Sequence, residues 1–98
     1  MSYTIYALFD PRTTEPFYVG QTSRNLRYRY LEHIKGQSFC GAWERNRELR
    51  RSGLRPLIME LLRFTDAVTA SQAEYQTIAD FEALGFHLTN SKRTLGRQ

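Results

Sequence analysis

Residues 3–9 (YTIYALF) place β-branched, apolar and aromatic side chains on both alternating faces of one short segment. A strand built this way has no face to give to water, so it belongs at the centre of a sheet and must be covered twice. Loop chemistry follows in residues 10–16 (DPRTTEP), and residues 17–22 (FYVGQT) read as a second strand. So short a connection joins antiparallel neighbours, which makes the N-terminus a hairpin. A turn centred near Arg12 sets Tyr6 opposite Tyr18, on one face of the sheet.

The remaining chain supplies the covering layers. Thr22 or Ser23 can cap a helix from about Arg24 to Lys35, with Leu26, Tyr30, Leu31 and Ile34 as its buried stripe and Gly36 as its stop. A second helix, from about Phe39 to Arg51, turns Phe39, Trp43 and Leu49 inward and most of its arginines outward. Residues 55–64 (RPLIMELLRF) read as a third strand, and their apolar density predicts a core position. The last long helix runs from Asp66 or Val68 to Leu84, with Ala70, Thr77, Ile78, Phe81 and Leu84 inward and Gly85 closing it. Glu74 falls on that stripe. Ser71-Gln72-Ala73-Glu74 would be a capping box if the helix began at Ser71, but Asp66 and Ala70 place the start upstream. The fold class is therefore α+β: a small three-stranded antiparallel sheet flanked by helices, in the order β-β-α-α-β-α. At 98 residues the chain has length for one domain, expected over 1–90, followed by a basic tail at 91–98.

Charge narrows the function. Of 14 basic residues 12 are arginine, and residues 24–55 hold nine bases against three acids. Arginine's planar fork suits phosphate oxygens, and a basic middle on a small domain is the footprint of a nucleic-acid partner. Cys40 is alone, so no internal disulfide is possible and a reducing, cytoplasmic setting fits. With Cys40, His33 and His87 scattered, a thiolate or histidine zinc site is not available. No apolar run approaches a membrane span, and the N-terminus lacks a signal-peptide layout. No acid precedes Lys35 or Lys92 at the interval of a D…E-x-K nuclease triad.

Five landmarks in order carry a further reading. Thr4-Ile5-Tyr6 and Tyr18-Val19-Gly20 are separated by eleven residues between the two tyrosines, Asn25-Leu26, Arg29 and His33 follow in the first helix, Glu74 lies in the long helix and Asn90 closes LTN. In this series the chain resembles the GIY-YIG nucleases, over about 85 residues. It departs from the motif at Thr4, where the family name has glycine; a strand interior accepts threonine readily. The resemblance implies hydrolysis of DNA phosphodiester bonds to 5′-phosphate and 3′-hydroxyl ends with one divalent ion, Mg²⁺ with Mn²⁺ as substitute, held by Glu74 and with Asn90 in support.

Such a reaction needs a deprotonated water, a cation near the phosphate oxygens and stabilisation of the departing oxygen. Tyr6 and Tyr18 are the candidates for activating water, Arg29 for binding the scissile phosphate, and Glu74 for Mg²⁺, which is content with one carboxylate and several waters. A free phenol has a pKa near 10, so its proton must be passed onward, and His33 one turn from Arg29 can take it. Which tyrosine is the base stays open, with Tyr18 taken to lie nearer the first helix. Arg27, Lys35, Arg45, Arg47, Arg50 and Arg51 are the expected backbone contacts to DNA. Without a second domain, sequence preference should be low; site-specific cutting would take a homodimer or a separate specificity partner. The alternative is a non-catalytic nucleic-acid-binding module on the same fold.

Overall fold

A computed structural model describes residues 1–37 and 40–90; the basic tail at 91–98 and Phe39 lie outside the described residues. The elements are β1 (Tyr3–Phe9), β2 (Pro16–Thr22), α1 (Leu26–Ile34), α2 (Trp43–Arg51), β3 (Leu57–Phe64) and α3 (Ala67–Ala83), the order read from the sequence. The three strands form one antiparallel sheet in the order β2-β1-β3. β1 is central, and Thr4 through Leu8 are all buried.

Alternation along β1 divides the core. Ile5 and Ala7, with Val19, pack under Ala70, Ala73, Ile78 and Phe81 of α3. Tyr6 and Leu8, with Tyr18, face the opposite way, toward Leu26 of α1 and Ala42 and Leu49 around α2. The helices thus cover both faces of the strand that had none to expose.

The hairpin register differs from the expected one by one residue at its turn. Tyr6 pairs with Gly20 and Leu8 with Tyr18, so the turn centres at Thr13 and the two tyrosines are diagonal neighbours. Asp10 explains this. Its carboxylate accepts from the Arg12 backbone N–H at 2.8 Å and from the Arg12 guanidinium, while its own N–H donates to Glu15 O at 2.9 Å. Thr14 takes a positive φ of 61° to close the loop, and a bulge between Leu8 and Phe9 absorbs the odd residue.

Several boundaries shift for local reasons. Asn25, not Thr22 or Ser23, caps α1: its Oδ1 accepts from Arg27 N at 2.8 Å and Tyr28 N at 3.4 Å. The residue of α1 that is fully buried is His33, while Leu26, Tyr30, Leu31 and Ile34 are half-buried. Asp66 caps α3 by accepting from Thr69 N at 2.7 Å, which leaves Glu74 in mid-helix and removes the capping-box alternative. Leu84 is exposed, beyond the inward stripe.

β3 is not the core strand that its apolar density predicts. As an edge strand it turns Ile58, Leu61 and Phe64 inward, while Leu57, Met59 and Leu62 are 51%, 55% and 45% exposed. The other edge is closed. Thr89 N donates to Phe17 O at 2.7 Å, and Asn90 clasps the Val19 backbone from outside β2. No described helix is long and apolar enough to cross a membrane.

Candidate functional site

The two tyrosines, a histidine and an arginine meet on the face of the sheet opposite α3. Tyr6 comes from the central strand, and its phenol swings across the ladder because Gly20 stands opposite. A Cβ on Gly20 would lie 2.5 Å from Tyr6 Cζ and 2.8 Å from Tyr18 Cε2, so only glycine leaves room for both rings. The rings sit 6.3 Å apart, centroid to centroid, and each is 5.7 Å from the His33 imidazole, edge-on to it.

Residues 29 and 33 are one helical turn apart, so α1 presents Arg29 and His33 side by side to the same oxygen. Tyr6 Oη lies 2.8 Å from His33 Nε2 and accepts from Arg29 Nε at 3.1 Å. Arg29 Nη1 donates to Glu32 at 3.0 Å, which orients the guanidinium. On the far side of the ring, His33 Nδ1 lies 3.1 Å from Asn46 Nδ2 and 4.0 Å from Cys40 Sγ. It is Tyr6 that touches α1 through these bonds, and Tyr18 packs beside it. The two rings are equally near the His33 ring, so the phenols are separated by bonding rather than distance: the hydrogen bonds to α1 are made by Tyr6.

Burial dominates the electrostatics. Tyr6 is pushed up to about 12, first by loss of solvent, with Arg29 pulling it back and Glu74 among the smaller upward contributions. Tyr18 is also raised, by burial and then by Tyr6 and the Cys40 thiol. His33 falls to about 4, chiefly by burial and then by the positive charge of Arg29, with Glu32 opposing. Burial works against the charge on Arg29, but Tyr6, Glu32 and Tyr18 outweigh it and hold Arg29 firmly cationic. At neutral pH the cluster is one guanidinium among neutral rings.

Glu74 stands half-buried on α3, across the sheet from the cluster, and its charge makes a small upward contribution to the Tyr6 pKa. Among the described residues no three His, Cys, Asp or Glu side chains stand close enough to cage a metal. A divalent ion here would rest on Glu74 and water, an arrangement that suits Mg²⁺. Asn90 is fully buried and directed at backbone: its Oδ1 accepts from Val19 N at 2.8 Å and its Nδ2 donates to Val19 O at 2.7 Å. It holds the strand residue next to Tyr18 and supports the site from behind.

The basic residues divide into two groups. Arg27, Lys35, Arg47 and Arg51 are exposed, Arg47 lying over the Trp43 ring. Arg45 is engaged by Asp10 and Glu48 and stacks on Phe17, and Arg50 reaches Ile34 O at 3.5 Å beside Gly36. Those two arginines tie α2 to the hairpin and to the end of α1.

Asn46 has no place in the sequence reading, and Gly20 and Cys40 are named there without a part in the site. For Asn46 a signal exists: it falls between Trp43 and Leu49 at three-residue intervals, a polar residue on an inward stripe. Compared with protein-family models, with curated proteins and with solved structures, the chain matches none.

Proposed function

We propose that the protein is a metal-dependent DNA endonuclease of the GIY-YIG kind, hydrolysing phosphodiester bonds to 5′-phosphate and 3′-hydroxyl ends. The observation that carries this reading is the meeting of Arg29 Nε and His33 Nε2 on the single oxygen of Tyr6. Residues far apart in sequence converge on one phenol, which a surface aromatic or a solvated arginine has no reason to do.

In this reading Arg29, the least buried of the four, meets the incoming phosphate; among the described residues nothing occupies its Nη2. Tyr6 accepts a proton from the attacking water while its own passes to His33. Phenolate alone is too scarce to serve: with a pKa of about 12, only about one molecule in 10⁵ is ionised at pH 7. A neutral His33 relieves that scarcity by taking the proton in the same step. Glu74 would hold Mg²⁺, with Mn²⁺ as substitute. When bound, the ion supplies positive charge against the leaving oxygen. Tyr6, Tyr18 and His33 are each at most 4% exposed, so turnover requires the cover over the phenols to open as DNA docks. Arg27, Lys35, Arg47 and Arg51 provide the exposed backbone contacts.

Supercoiled-plasmid cleavage in Mg²⁺, Mn²⁺ and EDTA, run on wild type, Arg29→Ala and Glu74→Ala, tests the reading. Nicking that needs metal and disappears in both variants, with DNA affinity kept in Glu74→Ala, is the expected result. Tight binding without cleavage on duplex, branched and single-stranded DNA would leave the non-catalytic binding module instead.

A further inference from the structure

We propose that Asn46 is a positioning residue that fixes the His33 proton on Nδ1, through an amide turned so that its oxygen faces the ring. Asn46 Oδ1 is buried and has no hydrogen-bond partner, while Asn46 Nδ2 lies 3.1 Å from His33 Nδ1. An amide nitrogen only donates, so this contact puts the ring hydrogen on Nε2, facing Tyr6. The Tyr6 oxygen would then accept from both Nε2 and Arg29 Nε, and its own hydrogen, on a phenol that is 0% exposed, would meet no acceptor among the described residues. Two buried polar groups are left unsatisfied in that arrangement.

Half a turn of the amide lowers the number. Its outline is unchanged, Oδ1 accepts from Nδ1–H, Nε2 accepts from Tyr6 O–H, and Tyr6 Oη keeps the bond from Arg29. Only the amide N–H groups remain to be satisfied. The hydrogen bonds then run in one direction, from Arg29 to Tyr6 to His33 to Asn46. Buried polar chains are stable when every member is paired, and the partner of one imidazole nitrogen sets which nitrogen carries the proton. The kinetic consequence rests on the nuclease reading: only with the proton on Nδ1 is Nε2 free to receive the proton of Tyr6. As that proton arrives the ring becomes imidazolium, and Asn46 Oδ1 keeps its Nδ1–H bond throughout.

The ring ¹⁵N shifts of His33, measured by NMR on the full chain without DNA, read the tautomer directly. Wild type should show the proton on Nδ1 between pH 6 and 9; a proton on Nε2 overturns the proposal and needs no variant. Asn46→Asp keeps an acceptor toward Nδ1, so it should retain the tautomer and raise the His33 pKa by about one unit or more. Asn46→Leu keeps comparable volume without an acceptor and should lose the single tautomer. In plasmid nicking, Asn46→Asp should stay within a few-fold of wild type with its acid limb moved to higher pH, while Asn46→Leu should lose about tenfold or more in kcat. Equal loss in both variants with an unmoved pH profile would mark Asn46 as merely structural. The tautomer in the absence of any cleavage would uphold the positioning role and sink the nuclease reading; cleavage with the other tautomer would do the reverse.

Discussion

Gly20 stands directly across the β1–β2 ladder from Tyr6, and the space where its Cβ would be is filled by the Tyr6 phenol. The Tyr6 ring is fully buried and its oxygen is held at two points, so it has nowhere to retreat. Gly20→Ala therefore should cost about 1–3 kcal/mol by overpacking, which for a domain of this size lowers Tm by roughly 5–20 °C. Calorimetry checks the magnitude, and an unchanged Tm would show that the rings have slack. Cleavage should fall in parallel, because any shift of the phenol breaks its contact with Arg29.

Tyr6 and Tyr18 are unequal despite their symmetry in the sequence. Replacing Tyr6 with Phe deletes the oxygen shared by Arg29 and His33, and should reduce plasmid nicking at least about 10²-fold. Tyr18→Phe removes a neighbour that has no bond to α1 and should cost less. Single-turnover rates on a nicked-product assay compare the two variants, and a larger loss for Tyr18 would move the proton-transfer role to the second strand.

The hairpin, the order of elements and the start of α3 were legible because each rests on a local cause: alternation in β1, turn residues at 10–16, and an Asp66 cap ahead of an apolar stripe. The edge position of β3 was not, although the central place of β1 was. An edge strand with one face under α3 and another with both faces covered have similar apolar density, and the exposure of Leu57, Met59 and Leu62 depends on which neighbour is missing. The register depends on the Asp10–Arg12 contact, a local bond between residues two apart in the loop that no alternation pattern encodes. Asn46 was hidden for a different reason: among the arginines of α2 one more polar residue reads as solvated. Its burial follows from packing against His33. That histidine was itself read as a catalytic candidate rather than as the most buried residue of α1.

Asn90 makes two hydrogen bonds to one residue, Val19, and so replaces a missing strand at the β2 edge. Asn90→Ala leaves a buried N–H and C=O without partners and should destabilise the domain by about 2–4 kcal/mol. Urea unfolding measures the loss. Because the asparagine touches backbone and not the phenols, residual activity below the melting temperature should fall less than in Tyr6→Phe; a greater fall would give Asn90 a direct part in the chemistry.

His33 gives the fold a predictable dependence on pH. Its pKa drops from an ordinary 6.5 to about 4 in the folded state, through burial first and the Arg29 charge second. The unfolded chain thus binds a proton that the native chain refuses, and stability must fall as pH decreases between about 6.5 and 4, by at most about 3 kcal/mol. The depressed carboxyls of Asp10 and Asp66 act below that window, since their stabilisation is present above the unfolded value and is lost as pH falls through lower values still. On the alkaline side the raised Tyr6 phenol has the opposite sign: the unfolded chain ionises first, and stability declines as pH rises from about 10 toward 12. Tm should therefore form a plateau from about pH 7 to 9.5 with two sloping flanks. Thermal unfolding of wild type and His33→Phe separates them, because the substitution should flatten the flank between pH 6.5 and 4 and leave the alkaline one in place. An acid flank that survives in His33→Phe would mean that His33 keeps an ordinary pKa in the fold and that other groups carry the acid loss.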